Sequence, residues 1–111
     1  MIDKNVTTMW IDAADQVDRD TFASDWGLSS IWGTPEDLTD EQVAEHTEYA
    51  GRIWDASHMS ARELLEASGL TQAAFAQRYL IAKRTVESWC GGQRQPPEYV
   101  RLLLAHALEL I

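Results

Sequence analysis

Residues 69–89, GLTQAAFAQRYLIAKRTVESW, decide the fold of this chain. Thr71 is a residue type that often caps the start of a helix, and the short helix after it carries Phe75. A brief turn at residues 79–81 leads to a second helix, predicted from about Lys83 to Cys90. The stretch therefore predicts two short helices joined by a tight turn.

Helix signals continue on both sides of this stretch. Thr39–Gln42 and Ser60–Glu63 each fit the capping box, in which a hydroxyl and a side chain three residues later satisfy backbone amides reciprocally. The first box opens a helix that is predicted to run to about Ser57. Gly69 is a typical left-handed helix stop. Pro96-Pro97 is predicted to start the last helix, because proline is tolerated in a first turn.

The N-terminal third has weaker patterns. Residues 1–10 are predicted to be a frayed or loosely docked terminus, and residues 12–25 show a weak helical spacing of apolar residues. Residues 26–38 contain two Trp-Gly pairs and a proline, which predict a structured loop. Because Trp26 and Trp32 make this loop too apolar for a free linker, we expect it to dock on a core or on a partner. No alternating pattern indicates a strand, so the predicted fold class is all-α.

Composition limits the class of protein. The 111 residues suffice for one domain with at most a small appendage, and 45% of them are hydrophobic, as in ordinary soluble proteins. Cys90 is the single cysteine, which excludes an internal disulfide and a thiolate cluster and favours a reducing compartment. The sequence shows neither a membrane span nor a secretory leader. We therefore expect a soluble, cytoplasmic protein.

The charge is distributed unevenly along the chain. Lys and Arg number 9 against 18 Asp and Glu, which gives a net charge of −9. Residues 1–55 hold 3 basic and 13 acidic side chains, a net −10, whereas residues 56–111 hold 6 and 5, a net +1. This asymmetry predicts two segments with different partners, although acids that merely coat solvent-facing helices give the same count. The excess of acids argues against a general nucleic-acid coat or a binder of anionic membranes.

The C-terminal half carries a pattern of several residue types at fixed spacing. Its elements are Leu70-Thr71-Gln72, Phe75-Ala76, Arg84-Thr85-Val86 with Trp89, and then Gly92, Arg94 and Pro96-Pro97. In number and spacing they resemble the Cro/C1-type (XRE-like) helix-turn-helix family of bacterial and phage regulators, over roughly residues 59–108. The resemblance implies a Cro/C1-type helical bundle that binds DNA at residues 58–111. An acidic, Trp-containing helical extension at residues 1–57 precedes it.

The resemblance also implies which residues touch DNA. In this geometry the second helix enters the major groove with its N-terminal residues against base edges. A lysine or arginine there donates to guanine, and a glutamate accepts from cytosine. Thr85 and Arg94 are placed for contacts to backbone phosphates. The implied DNA-binding residues are Gln72, Lys83, Arg84, Thr85, Glu87, Ser88 and Arg94.

These roles compete with plainer ones. Lys83 and Arg84 also fit two solvated cations on an exposed helix. Glu87 fits a helix-surface acid, or a side chain that orients Arg84, better than a base reader. Arg94 equally fits a cap for the carbonyls that follow Gly92.

Three features depart from the family pattern. Leu80 occupies the turn position that glycine usually holds, and since a left-handed leucine costs about 1 kcal/mol or more, we expect a remodelled turn. Cys90 replaces a common glutamate. The nearly neutral module predicts weak DNA binding by a single copy.

The apolar residues at 102–111 are predicted to close part of the core. The remaining apolar residues of this stretch either form a dimer contact or are covered by the Trp-rich segment of the same chain.

Two classes of function follow from these patterns. The first is a sequence-specific transcriptional regulator that binds double-stranded operator DNA as a homodimer. The alternative is a protein-binding module, antitoxin-like or an antirepressor, whose acidic N-terminal half captures a partner. Trp26 and Trp32 are the interface candidates for that alternative, because tryptophan is an anchor residue at interfaces. Trp54 is interpreted as core.

No enzymatic, cofactor or metal site is predicted. Cys90 and His106 make an improbable nucleophile pair, since nothing in the sequence orients the histidine. His46 with Glu41 and Glu45 on one helix face fits a solvated face better than a metal site. The sequence contains no phosphate-cradling glycine loop, serine elbow or zinc spacing.

Overall fold

The computed structural model describes residues 4–111, and this part of the chain is all-helical, as predicted. Its helices are α1 Lys4–Ala14, α2 Arg19–Gly27, α3 Asp40–Ser57, α4 Ala61–Ser68, α5 Gln72–Arg78, α6 Lys83–Cys90 and α7 Glu98–Ala107. Between α2 and α3 lie two 3-10 turns, Ser30–Trp32 and Pro35–Asp37. Contacts divide the described residues into two compact units, 4–58 with 110–111, and 59–109. Within residues 4–111, every helix is too short or too polar to span a bilayer.

Both predicted capping boxes are confirmed. The Gln42 amide donates to Thr39 Oγ1 over 3.1 Å, and the Thr39 amide donates to Gln42 Oε1 over 2.9 Å. Ser60 and Glu63 make the same reciprocal pair, both at 3.1 Å. The helix that Thr39 opens ends at Ser57. Local side-chain chemistry thus determines where α3 and α4 begin.

The N-terminal helices correct two predictions. Residues 4–10 are not frayed, because α1 includes them and buries Met9, Trp10 and Ala13. These three residues share one helical face, which packs against α3. Residues 1–3 lie outside the described part of the chain. The weak helix predicted over 12–25 is instead the end of α1 and most of α2.

The start of α2 is held by polar contacts. Asp18 caps it by accepting hydrogen bonds from the Thr21 hydroxyl over 2.6 Å and from the Asp20 amide over 3.1 Å. The Thr21 hydroxyl is the main cause that lowers the pKa of Asp18. Arg19 donates to both carboxylate oxygens of Asp55 in α3, at 2.8 and 3.0 Å. The same hydrogen bonding raises the pKa of Arg19, and the two-pronged contact ties α2 to α3.

The apolar loop predicted over 26–38 is structured and docks within its own unit. Trp26 donates from Nε1 to Asp12 Oδ2 in α1, and Trp32 donates from Nε1 to the Trp26 carbonyl, both over 2.7 Å. The Trp32 ring stacks on His46 in α3 with centroids 4.3 Å apart. Both indoles are partly buried, so they act as internal links.

Trp54 is only partly buried, although the sequence indicated core. Its ring stacks on His58 with centroids 3.9 Å apart, and its Nε1 donates to the Gln16 carbonyl over 3.0 Å. It therefore closes the edge of the first unit, while Ile53 beside it lies in the core.

The second unit packs α4 against α5, α6 and α7. Its buried apolar residues are Ala61, Leu64, Phe75, Ala76, Val86, Leu104 and Ala105. Arg101 in α7 donates to the Met59 carbonyl over 2.7 Å and so ties the last helix to the entry of α4. The last helix begins at Glu98, after the predicted Pro96-Pro97, because Pro97 has extended backbone and serves as the N-cap.

The turn between α5 and α6 keeps the left-handed geometry. Leu80 has φ 55°, so the expectation of a remodelled turn is wrong. The Ile81 amide donates to the Ala76 carbonyl over 2.9 Å and closes the turn from the other side. Since the Leu80 side chain is 94% exposed, the turn tolerates leucine without making room for it in the core.

Candidate nucleic-acid interface

Helix α6 separates a buried face from an exposed polar one. Val86 is 1% exposed and points into the second unit. Lys83, Arg84 and Glu87 are exposed on other faces of the same helix, and Ser88 is half-buried. At 100° per residue, Arg84 and Ser88 share one side while Lys83 and Glu87 share another. The helix thus presents two polar edges.

Four of the predicted DNA-binding residues line one open cleft. They are Arg84, Thr85, Ser88 and Arg94, around a volume of about 440 Å³. Two cations and two hydroxyls face this cleft, and its lining contains no carboxylate. Guanidinium groups and hydroxyls are donors that suit phosphate oxygens and the acceptor edge of guanine.

Arg94 reaches this cleft because the chain reverses after α6. Gly92 has φ 78°, a left-handed conformation that lets the chain turn back. The amides of Gln93 and Arg94 then both point at the Ser88 carbonyl, at 3.1 and 3.5 Å. The Arg94 backbone amide therefore caps the Ser88 carbonyl at the end of α6, while the Arg94 side chain lines the cleft.

The other edge of α6 carries an ion pair. Lys83 Nζ lies 3.9 Å from Glu87 Oε1, one helical turn away, and both side chains are more than half exposed. Such a pair contributes little stability because water screens it. Glu87 thus faces Lys83, and the structure gives no support to the interpretation that it orients Arg84.

Gln72 lies apart from the Arg84 cleft. It is the exposed first residue of α5 and lines a second cleft of about 420 Å³ together with Glu87 and Cys90. Arg62 and Glu66 of α4 also line that cleft and form an ion pair over 3.5 Å. Sequence reasoning missed these two residues, although their spacing of four within one helix signals a shared face.

Among residues 4–111, no three His, Cys, Asp or Glu side chains group closely enough to hold a metal ion. No protein family, curated protein or solved structure matches this chain. The geometry of α5, α6 and the turn after α6 is therefore the structural basis for a function.

Proposed function

We propose that this chain is a sequence-specific, DNA-binding transcriptional regulator of the bacterial or phage type, which reads the major groove with α6. The observation that carries the proposal is the cleft shared by Arg84, Thr85, Ser88 and Arg94. The sequence resemblance had already implied that all four residues touch DNA. Three of them lie in α6, and Arg94 lies in the turn after it. Their donors form one surface without a carboxylate.

The roles of the four residues follow from their positions. Arg84, in the first turn of α6, is assigned to base reading, because a guanidinium donates to guanine O6 and N7 as a bidentate pair. Thr85 and Arg94 are assigned to phosphates, which fix the register of the helix on the duplex. Ser88, one turn after Arg84, contributes a hydroxyl to either role.

Lys83, Glu87 and Gln72 extend the interface on its other side. In free protein the Lys83–Glu87 pair is exposed, so exchanging it for contacts with DNA costs little. The resemblance implies that Gln72 either touches a phosphate or supports the reading helix, and we assign it to a phosphate at the edge of the duplex. These flanking contacts contribute less to sequence discrimination than Arg84.

A dimer is part of the proposal. In α7, Tyr99 and Leu103 are separated by one turn and are 65% and 53% exposed, while Leu104 closes the core of the unit. An apolar face of this kind suits a two-fold contact between copies. Two copies of a weakly basic module present two recognition helices to successive half-sites and thereby strengthen binding.

The first test measures binding of the full chain to its own upstream DNA against a scrambled duplex, across a salt series. The Arg84→Ala variant is expected to lose roughly 10- to 100-fold in affinity for the specific duplex, since one bidentate contact is worth about 1–3 kcal/mol. The Arg94→Ala variant is expected to weaken both duplexes equally and to reduce the salt slope by about 1. Arg78→Ala is the matched control, because Arg78 lines a different cleft.

Two results contradict the proposal. One is the absence of any specific complex at low salt with folded protein. The other is equal loss of affinity in the Arg84→Ala and Arg78→Ala variants, which assigns binding to general charge attraction.

A further inference from the structure

The segment from Trp26 to Trp32 in the first unit is tied by internal hydrogen bonds and exposes apolar side chains. The Trp26 carbonyl accepts hydrogen bonds from the Ser29 amide over 3.1 Å and from Trp32 Nε1 over 2.7 Å. Trp26 itself is anchored to Asp12. The segment therefore curls around the Trp26 carbonyl and is fixed at both indoles.

Leu28 and Ile31 project from this fixed segment. Leu28 is 63% exposed and Ile31 is 36% exposed. Between them in sequence, Ser29 lines a cleft of about 210 Å³ together with Asp25 and the partly buried Trp26 ring. We call Trp26, Leu28 and Ile31 the Trp26 patch. A preordered apolar surface loses little conformational entropy when a partner covers it.

The charge around the patch selects its occupant. Asp12 and Asp25 lie at its edge, and residues 1–55 together carry a net charge of −10. A second copy of this unit, a nucleic acid or an anionic membrane brings like charge and is disfavoured. A protein segment that combines cations with apolar side chains is complementary in both respects.

We propose that the Trp26 patch is a docking surface for a basic, amphipathic segment of another protein. Apolar side chains of that segment cover Leu28 and Ile31, and its cations face Asp12 and Asp25. The surface lies in the first unit, whereas the proposed DNA contacts lie in the second, so this proposal goes beyond the DNA-binding function and does not depend on it.

The test titrates the full-length, isotope-labelled chain with a synthetic 14-residue helical peptide of leucine and lysine, followed by two-dimensional NMR. We expect saturable shifts concentrated at residues 25–32. The double variant Leu28→Ser/Ile31→Ser is expected to weaken binding about tenfold, a typical loss when contact side chains are truncated. Val17→Ser is the matched control, because Val17 is 95% exposed in the same unit but lies before α2 instead of after it.

Two further peptides complete the test. A peptide with lysines replaced by glutamine, and one with leucines replaced by alanine, are each expected to bind at least tenfold more weakly. If the alanine peptide binds as tightly as the leucine–lysine peptide, the interaction is charge attraction alone, and the proposal is overturned. If the wild-type chain self-associates and the double variant does not, the patch binds a second copy of the chain. That result also overturns the proposal. The double variant retains normal DNA binding in either case, which separates this test from that of the DNA-binding function.

Discussion

Leu80 combines two unfavourable properties in one residue. Its φ of 55° is left-handed, where an L side chain with a branched, apolar body costs about 1–2 kcal/mol. Its side chain is 94% exposed and therefore gains almost nothing from burial. Asparagine tolerates the left-handed region better, so Leu80→Asn is expected to raise the free energy of unfolding by about 0.5–1 kcal/mol in urea denaturation.

The control for this prediction is another exposed leucine with ordinary backbone geometry. Leu28 is 63% exposed and has φ −99°, so Leu28→Asn is expected to change stability by less than about 0.5 kcal/mol. A loss of stability in Leu80→Asn equal to or above that of the control shows that the Leu80 side chain makes a stabilising contact and contradicts the strain argument.

Elements that carry their own signals were predictable, and elements that depend on distant packing were not. The starts of α3 and α4 follow from Thr39 and Ser60, because a capping box is complete within four residues. Helix α1 buries Trp10 and packs against α3, and periodicity alone did not reveal this packing. The same distinction applies to the candidate site. The helical period placed Arg84 and Ser88 on one side of α6, whereas Arg94 joins them through the backbone reversal at Gly92.

Gly27 of α2 lies directly against Thr47 of α3. A Cβ at Gly27 would lie 3.0 Å from Thr47 Cα and closer still to Thr47 Oγ1, so the helices must separate to accept a methyl group. Gly27→Ala is therefore expected to lower the free energy of unfolding by about 1–3 kcal/mol, the usual range for overpacking. Adding Thr47→Ala removes the nearest atom and is expected to restore part of the loss. A Gly27→Ala variant as stable as wild type, measured by urea denaturation, excludes this tight crossing.

At the scale of the whole molecule, the acidic charge opposes the proposed binding to DNA. Glu41, Glu45 and Glu48 are exposed on one face of α3, and none has an ion-pair partner within residues 4–111. Replacing all three with glutamine changes the net charge from −9 to −6. Because charges interact over about 30 Å at 0.01 M salt but only about 8 Å at 0.15 M, the triple variant is expected to bind DNA roughly three- to tenfold more tightly at 0.01 M. The gain is expected to disappear towards 1 M salt, where the screening length is about 3 Å.

Ala44→Gln is the control without a charge change, since Ala44 is exposed on the same helix. If the triple variant and this control have the same affinity for DNA at 0.01 M salt, the charge of the first unit does not affect DNA binding. A gain that persists at 1 M assigns the effect to a direct contact of α3 with DNA.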